Sequence, residues 1–455
     1  MKNNKKVDLT LDSIEFERRY GRKKTISIFT LGCRVNIYES EAMLEKFVRE
    51  GYEVVDFEEF SDVYVINTCT VTNMGDKKSR QLIRRAKRIN PDAIVAVVGC
   101  YSQVASKEIS EIEGVDVILG TRNKGDVVYW SNRAREEEKI IIKVDDVLHN
   151  KKIEKLKIEE YKDKTRAFLK IQDGCNRFCS YCLIPFARGA VCSKPEEDVI
   201  EEVKELVKNG FKEIILSGIH TASYGVDLGS EVNLITLLER IDQIEGIERV
   251  RIGSIDPTFF TKEVVERVSK LKSLCPHFHL SMQSGCDETL KRMNRSYNAK
   301  EYKDCVKNLR EYMKDVSITT DVIVGFPLES EDEFNETYEF LKEIKLTKLH
   351  VFKYSPRKGT RAEKMGDTIS PQDKEIRSKK LIELNEKCEK RFMETFIGKS
   401  EKVLFEQKYK NKEKWYEGYT ENYLRVIAES DDDITGKIKK VNIESIEDDV
   451  LIGKI

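Results

Sequence analysis

Three thiols fall within eight residues in the stretch Gly174-Cys175-Asn176-Arg177-Phe178-Cys179-Ser180-Tyr181-Cys182. Side chains this close in sequence converge only where the backbone wraps around something. Thiolates are soft ligands that suit iron–sulfur clusters or zinc. A structural zinc site usually takes four ligands, commonly as two separated pairs of Cys or His. No second pair stands nearby, and Cys192 would have to be recruited alone. Inert burial is the other alternative, although three cysteines in one polar loop are poor core material. The favoured reading is a cluster with three protein ligands, whose remaining iron is open to a cofactor or substrate.

Three more cysteines are scattered: Cys33 in Leu31-Gly32-Cys33-Arg34-Val35-Asn36, Cys69 in Asn67-Thr68-Cys69-Thr70-Val71, and Cys100 in Val98-Gly99-Cys100-Tyr101-Ser102. Their spacing is no metal motif, and a lone Cys is most often a small core residue. Yet each follows an apolar run and precedes a helical pattern, a place that lies along one rim of a doubly wound sheet. A second three-cysteine cluster and core packing stand level on position alone. Cys192, Cys275, Cys286, Cys305 and Cys388 have no partner pattern and read as core or surface residues. His277 and His279 alternate along one strand and read as structural.

These residues need a scaffold. Between 25 and 120, short β-branched runs at 26–30, 63–67, 94–98 and 115–119 alternate with helical patterns at 39–50 and 76–89. Continuous apolar strands separated by helices predict a parallel sheet covered on both faces, a doubly wound α/β domain. From 167 to 354 the alternation has a longer period, with strands at 168–171, 213–217, 249–253, 278–281, 320–324 and 349–352. Helices such as 196–209 and 330–344 separate them. Six βα units in a row predict a partial (β/α)6 TIM-like barrel. Sites in such folds lie at the carboxyl ends of strands, and the Cys175–Cys182 loop directly follows the first of them.

A charged helix over 371–396 comes next. Beyond Gly398, short alternating strands such as 401–405 and 423–426 predict a small all-β barrel of OB-like size. The domain limits expected are 24–135, a charged linker at 136–160, a core at 161–391, and the barrel at 394–455. The polar stretch through Lys24 carries no signal of a role.

At 455 residues the chain suits two or three domains rather than one core. Its formal net charge of −1 argues neither for nor against a polyanionic partner, so any nucleic-acid contact must come from a local patch. No apolar N-terminal stretch resembles a signal peptide, and no apolar run approaches the ~20 residues that span a bilayer. A cytoplasmic protein without a membrane is the expectation. There the eleven cysteines stay reduced, and ligation or burial is a better reading than disulfides.

With both cysteine sets placed, the chain resembles the radical S-adenosylmethionine methylthiotransferases. The Cys-x3-Cys-x2-Cys loop is similar to that superfamily's cluster signature. The rim cysteines are similar to the family's auxiliary-cluster domain, and the tail to the TRAM domain, a small β-barrel associated with RNA binding. The likeness runs from about residue 25 to 455 in the same domain order. Within the family the chain looks like the MtaB branch, which acts on tRNA carrying N6-threonylcarbamoyladenosine at position 37, beside the anticodon. Thr30-Leu31-Gly32-Cys33-Arg34-Val35-Asn36, Ser217-Gly218-Ile219-His220, Cys275-Pro276-His277-Phe278-His279-Leu280-Ser281-Met282-Gln283-Ser284-Gly285 and His350-Val351-Phe352-Lys353-Tyr354-Ser355-Pro356-Arg357 carry that match. Arg34, Ile37, Leu328 and Gly253 depart from the pattern, and none of them removes a cluster ligand.

The resemblance implies two 4Fe–4S clusters and two S-adenosylmethionine molecules per turnover. Adenine C2–H is strong and not acidic, so a base or nucleophile does not readily exchange it for sulfur, whereas cofactor radical chemistry can. S-adenosylmethionine would chelate the open iron of the Cys175/Cys179/Cys182 cluster, and one electron would split it to the radical that takes the C2 hydrogen. The Cys33/Cys69/Cys100 cluster would supply methylated sulfur. Tyr181, Ser217 and Gly218, with Ser254 and Gln283, are implied to border the cofactor. Plain loop packing and helix capping are the blander readings of these residues.

Implied partners are the tRNA anticodon stem-loop, an electron donor such as flavodoxin or ferredoxin, and a sulfur source. Lys77, Lys78, Arg80, Arg84, Arg85, Lys87 and Arg88 make one helix basic enough to track phosphates, although such a run is usually a solvated face. Trp415, Tyr416, Tyr419 and Tyr423 offer stacking surfaces, and barrel cores use the same residues. The alternatives are methylthiolation of N6-isopentenyladenosine in tRNA or of a ribosomal protein. A noncatalytic metal-containing RNA-binding protein is the alternative of a different class.

Overall fold

The structure is a computed structural model that describes residues 7–70, 73–137, 139–149, 153–154, 156–158, 165–229, 231–410 and 412–455. The chain divides into two units. One is Met1–Tyr161 with Asp173–Phe178 and Cys182–Cys192; the other is Lys162–Gln172 with Cys179–Tyr181 and Ser193–Ile455.

In the first unit six parallel strands form one sheet, ordered Glu53–Val54, Thr25–Thr30, Val63–Thr68, Ile94–Gly99, Val117–Leu119, Ile141–Lys143. Successive strand residues point to opposite faces, and the core divides by that parity. Val63, Val65, Ile94, Ala96, Val98, Val117 and Leu119 pack with Phe16, Met43, Phe47 and Val127 on one face. Tyr64, Ile66, Val95, Val97 and Ile118 pack with Leu82, Ile83, Ala86 and Ile109 on the other. Each such aliphatic side chain contributes about 1.5–3 kcal/mol when fully buried. The doubly wound fold is therefore present, with helices on both faces.

Three features differ from expectation. The helix after the first strand runs Arg34–Arg49, earlier than 39–50, because its first turns bury the polar Asn36 and Glu39 and so show no apolar periodicity. The stretch before Lys24 contains a helix, Ser13–Tyr20, capped by Asp12, and it inserts Phe16 into the core. Strand Ile141–Lys143 lies inside the expected linker, of which residues 138, 150–152, 155, 159 and 160 fall outside the described set.

In the second unit, strands Arg166–Lys170, Glu213–Ser217 and Arg249–Ile252 pair in parallel, and Ser254–Ile255, His277–Leu280, Ser317–Val324 and Lys348–Lys353 pair likewise. Gly253 is the switch between the two sheets, since the strand before it pairs with Glu213–Ser217 and the strand after it with His277–Leu280. Helices Glu196–Lys208, Leu234–Asp242, Lys262–Val268, Ala299–Tyr312 and Glu331–Ile344 alternate with these strands, and Pro371–Glu394 follows the last. Capping boxes at Asn233, Asn298 and Ser330 fix three helix starts. This is the partial barrel.

The tail is a closed five-stranded barrel of Ser400–Lys408, Trp415–Thr420, Arg425–Glu429, Val450–Lys454 and Ile438–Glu447 in that order around the ring. Its aromatics are used for packing. Tyr416 lies in the barrel core, and Trp415 packs with Ile427, Val450 and Ile452. Tyr419 and Tyr423 stack with ring centres 4.9 Å apart, and Arg251 lies 4.6 Å from the Tyr423 ring centre. Arg249 donates to the carbonyls of Lys402 (2.8 Å) and Tyr419 (3.0 Å), which ties the barrel to the amino end of a core strand. Among the described residues no helix is long and apolar enough to cross a membrane.

Candidate cluster and cofactor sites

In the first unit the three scattered cysteines follow adjacent strands. Register pairs Thr30 with Asn67 and Thr68 with Gly99, so Cys69 and Cys100 each stand one residue past a matched pair. Cys33 is the N-cap of Arg34–Arg49, and Cys100 opens the helix Cys100–Val104. Gly32 has φ +102°, and a Cβ there would lie 3.0 Å from Cys69 Sγ, so the first two loops touch through a glycine. Cys33 is exposed, Cys69 half-buried and Cys100 buried. Arg188 Nε donates to Cys100 Sγ at 3.2 Å. Burial pushes the Cys100 thiol up, and the Arg188 charge opposes that shift.

The Cys175–Cys182 loop leaves the first core strand. Cys175 Sγ accepts from the Arg177 N–H at 3.5 Å, and Cys182 Sγ from the Ile184 N–H at 3.4 Å. In the second unit, Cys179 Sγ accepts from Arg295 Nη1 at 3.2 Å. The loop is pinned there by the Ser180 N–H on the Met293 carbonyl and the Ala362 N–H on the Ser180 carbonyl, at 2.9 and 2.8 Å. Among the described residues no three Cys, His, Asp or Glu side chains are arranged as a single-ion site. The donor chemistry nonetheless fits a cluster: sulfurs that carry negative charge take N–H hydrogen bonds, and Cys100, Cys175, Cys179 and Cys182 each accept one.

Of the residues expected to border the cofactor, Ser217 and Gly218 fall at the carboxyl end of Glu213–Ser217, Ser254 opens a strand, and Tyr181 and Gln283 lie outside the strands. Ser217 ends its strand, buried, with Oγ donating to the Leu169 carbonyl at 3.2 Å. A Cβ on Gly218 would meet Gln172 Oε1 at 2.8 Å, and that oxygen accepts from the His220 N–H. Ser254 opens the strand after the Gly253 switch, and its carbonyl accepts from Thr221 Oγ1 at 2.8 Å. Gln283 has φ +71° and bridges Val322, its N–H donating to the Asp321 carbonyl at 2.9 Å. Tyr181 packs edge-on to Phe326 beside Met293 and Tyr354.

Arg295 carries no spacing signal in the sequence. Besides Cys179, it donates to the Ser281 carbonyl and to Tyr297 Oη, both at 3.0 Å. Burial alone would lower its pKa; Tyr297, Tyr181, Cys179 and Asp256 hold it well above the ordinary value. His279 is satisfied by Thr319 Oγ1 at 2.9 Å and Asp321 at 3.2 Å, and His277 packs on Tyr423, as structural histidines should.

Residues 169–341 match the model of the Radical SAM superfamily, and residues 25–120 that of "Uncharacterized protein family UPF0004". Over 422 residues the chain is 43% identical to the threonylcarbamoyladenosine tRNA methylthiotransferase MtaB of Bacillus subtilis (strain 168), covering 92% of this chain and 93% of that one. The chain belongs to the radical S-adenosylmethionine methylthiotransferases. Another methylthiotransferase, the MtaB of Aquifex aeolicus (strain VF5), is 40% identical over 92% of this chain and 100% of its own. The tRNA-2-methylthio-N(6)-dimethylallyladenosine synthase of Clostridium tetani (strain Massachusetts / E88) is 38% identical over 93% and 94%.

Solved structures show the fold of this methylthiotransferase chain at low identity. The radical S-adenosylmethionine methyltransferase TsrM from Kitasatospora setae superposes with TM-score 0.51 at 14% identity, over 72% of this chain and 73% of that one. The cobalamin-dependent S-adenosylmethionine radical enzyme OxsB gives 0.50 at 12%, over 82% and 56%.

Proposed function

We propose that this protein inserts a methylthio group at C2 of N6-threonylcarbamoyladenosine in tRNA, beside the anticodon. The observation that carries the reading is the pair of cysteine triplets, one on the rim of a doubly wound sheet and one on the loop after a partial-barrel strand. The family membership supports the reaction, and identities of 43% and 40% to two MtaB proteins against 38% to a dimethylallyladenosine synthase support the substrate.

Cys175, Cys179 and Cys182 would hold the 4Fe–4S cluster with the open iron, and Cys33, Cys69 and Cys100 the auxiliary one. With S-adenosylmethionine bound, these groups supply one-electron radical chemistry and transferable sulfur. The chain's own task is to place and shield them. Arg295 fixes the Cys179 sulfur against the Ser281 carbonyl. Gly218 lets its strand end pack directly against Gln172, whose Oε1 a Cβ would meet at 2.8 Å. Ser217, Gly218 and Tyr181, with Ser254 and Gln283, would border the cofactor. Domains at 24–135, 161–391 and 394–455 would divide the work into sulfur donation, radical generation and tRNA contact. The tRNA anticodon stem-loop, a flavodoxin- or ferredoxin-like electron donor and a sulfur source are the partners this chemistry requires.

Two single variants test the division of roles. Anaerobically purified Cys100→Ala should still cleave S-adenosylmethionine when reduced but form no methylthio nucleoside, while Cys179→Ala should lose both activities. Product from Cys100→Ala, or undiminished cleavage by Cys179→Ala, would overturn the assignment.

A further inference from the structure

Arg188 ends the short helix Ile184–Arg188, six residues after Cys182, and its side chain is fully buried. Its Nε donates to Cys100 Sγ at 3.2 Å. Nη1 reaches Glu39 Oε1 at 2.6 Å and Asp173 Oδ2 at 3.3 Å, and Nη2 reaches Asn36 Oδ1 at 2.5 Å and Glu39 Oε2 at 3.0 Å. A guanidinium has five N–H donors in a fixed planar fork, and each of the five here has an acceptor.

The acceptors lead back to the cysteine rim. Asn36 Nδ2 donates to the Leu31 carbonyl at 2.6 Å and to the Thr68 carbonyl at 3.0 Å. Leu31 stands two residues before Cys33, and Thr68 immediately before Cys69. One guanidinium therefore grips the Cys100 sulfur directly and, through one amide, the loops of Cys33 and Cys69. Simple neutralisation of buried Glu39 does not explain this geometry, since Glu39 also pairs with the buried Lys124. The Nε donor points at sulfur and away from the carboxylate.

We infer that Arg188 is the positioning residue of the auxiliary site: it sets the mutual register of the three cysteine loops and tunes the cluster they hold through an N–H···S hydrogen bond to Cys100. The inference rests on reading Cys33, Cys69 and Cys100 as cluster ligands. Hydrogen bonds to cluster sulfurs and nearby positive charge favour the reduced state, so weakening either should make the cluster harder to reduce.

The test uses the full chain carrying Cys175→Ala, Cys179→Ala and Cys182→Ala, in which only the rim can hold iron. This parent should bind about four irons; if it binds none, the cluster reading fails and takes the inference with it. Arg188→Lys, which keeps the charge but loses the fork, and Arg188→Gln with Glu39→Gln, which leaves the net charge of the buried cluster unchanged, are compared with it. The expected result is an altered electron paramagnetic resonance spectrum and a midpoint potential shifted to more negative values in both. Unchanged spectra and potentials, even with reduced iron loading, would mean a purely structural arginine and overturn the inference. A measurement on the parent is independent of how the variants fold. With arginine labelled at its guanidino nitrogens by nitrogen-15, the reduced cluster should show a nitrogen-15 hyperfine coupling, and absence of that coupling would equally overturn the inference.

Discussion

The carboxylate of Glu213 is fully buried at the amino end of its strand and faces three arginines. Arg251 binds it through Nε and Nη2 at 2.9 and 3.1 Å, while Arg166 and Arg249 stand at 3.8 Å. Burial alone would raise the Glu213 carboxyl; Arg251 first, then Arg166 and Arg249, hold it below the ordinary value. A depressed folded-state pKa contributes stability that is present above the unfolded carboxyl value of about 4.3 and is lost as pH falls through the folded value. Glu213→Gln removes the only carboxylate that Arg251 pairs with among the described residues and leaves buried positive charge uncompensated. It should lower stability at neutral pH by about 3–5 kcal/mol, as read by urea unfolding. The acid limb of its stability curve should also be flatter than that of the natural protein. Equal stability of the two proteins at neutral pH would contradict this account.

At the scale of elements, helix Asn73–Ile89 was legible as basic, but its charges have different destinations. Arg80 donates to Tyr101 Oη and Glu108, Arg85 pairs with Glu58, and Lys87 with Asp116. Among the described residues of this helix Lys77, Arg84 and Arg88 are exposed and make neither an ion pair nor a ring contact, while the exposed Lys78 lies 5.6 Å from the Phe29 ring centre. These three are the cations available to phosphates. Replacing them together with Ala should weaken tRNA binding and flatten the slope of log affinity against log salt by about 2–3. An unchanged slope would place the RNA elsewhere. Strands such as Ile94–Gly99 were readable because every residue is buried and apolar or small. Strand Ile141–Lys143 was hidden because it buries only Ile141. The tail aromatics could not be assigned from type, since rings that fill a barrel and rings that stack on bases are the same residues; here Tyr416 fills and Tyr423 stacks on protein.

Over the whole molecule, a doubly wound sheet, a partial barrel and a closed β-barrel follow one another along the chain, and that order was readable from changes of hydrophobic period. The candidate site was readable in proportion to how local it is. Cys175, Cys179 and Cys182 announce themselves by spacing, whereas Cys33, Cys69 and Cys100 gain meaning only once the strands before them are aligned. Arg188, Asn36, Glu39 and Arg295 were invisible. A single Arg in a chain that is 35% charged carries no pattern, and its role arises from contacts made across long sequence separations. The central claim is that the two triplets serve one reaction on one modified adenosine. It is tested most directly by nucleoside mass spectrometry of tRNA from cells with and without this protein. Loss of the 2-methylthio form of N6-threonylcarbamoyladenosine with accumulation of its unthiolated precursor is the predicted result. An unchanged profile, or loss of the methylthio group from N6-isopentenyladenosine instead, would contradict it.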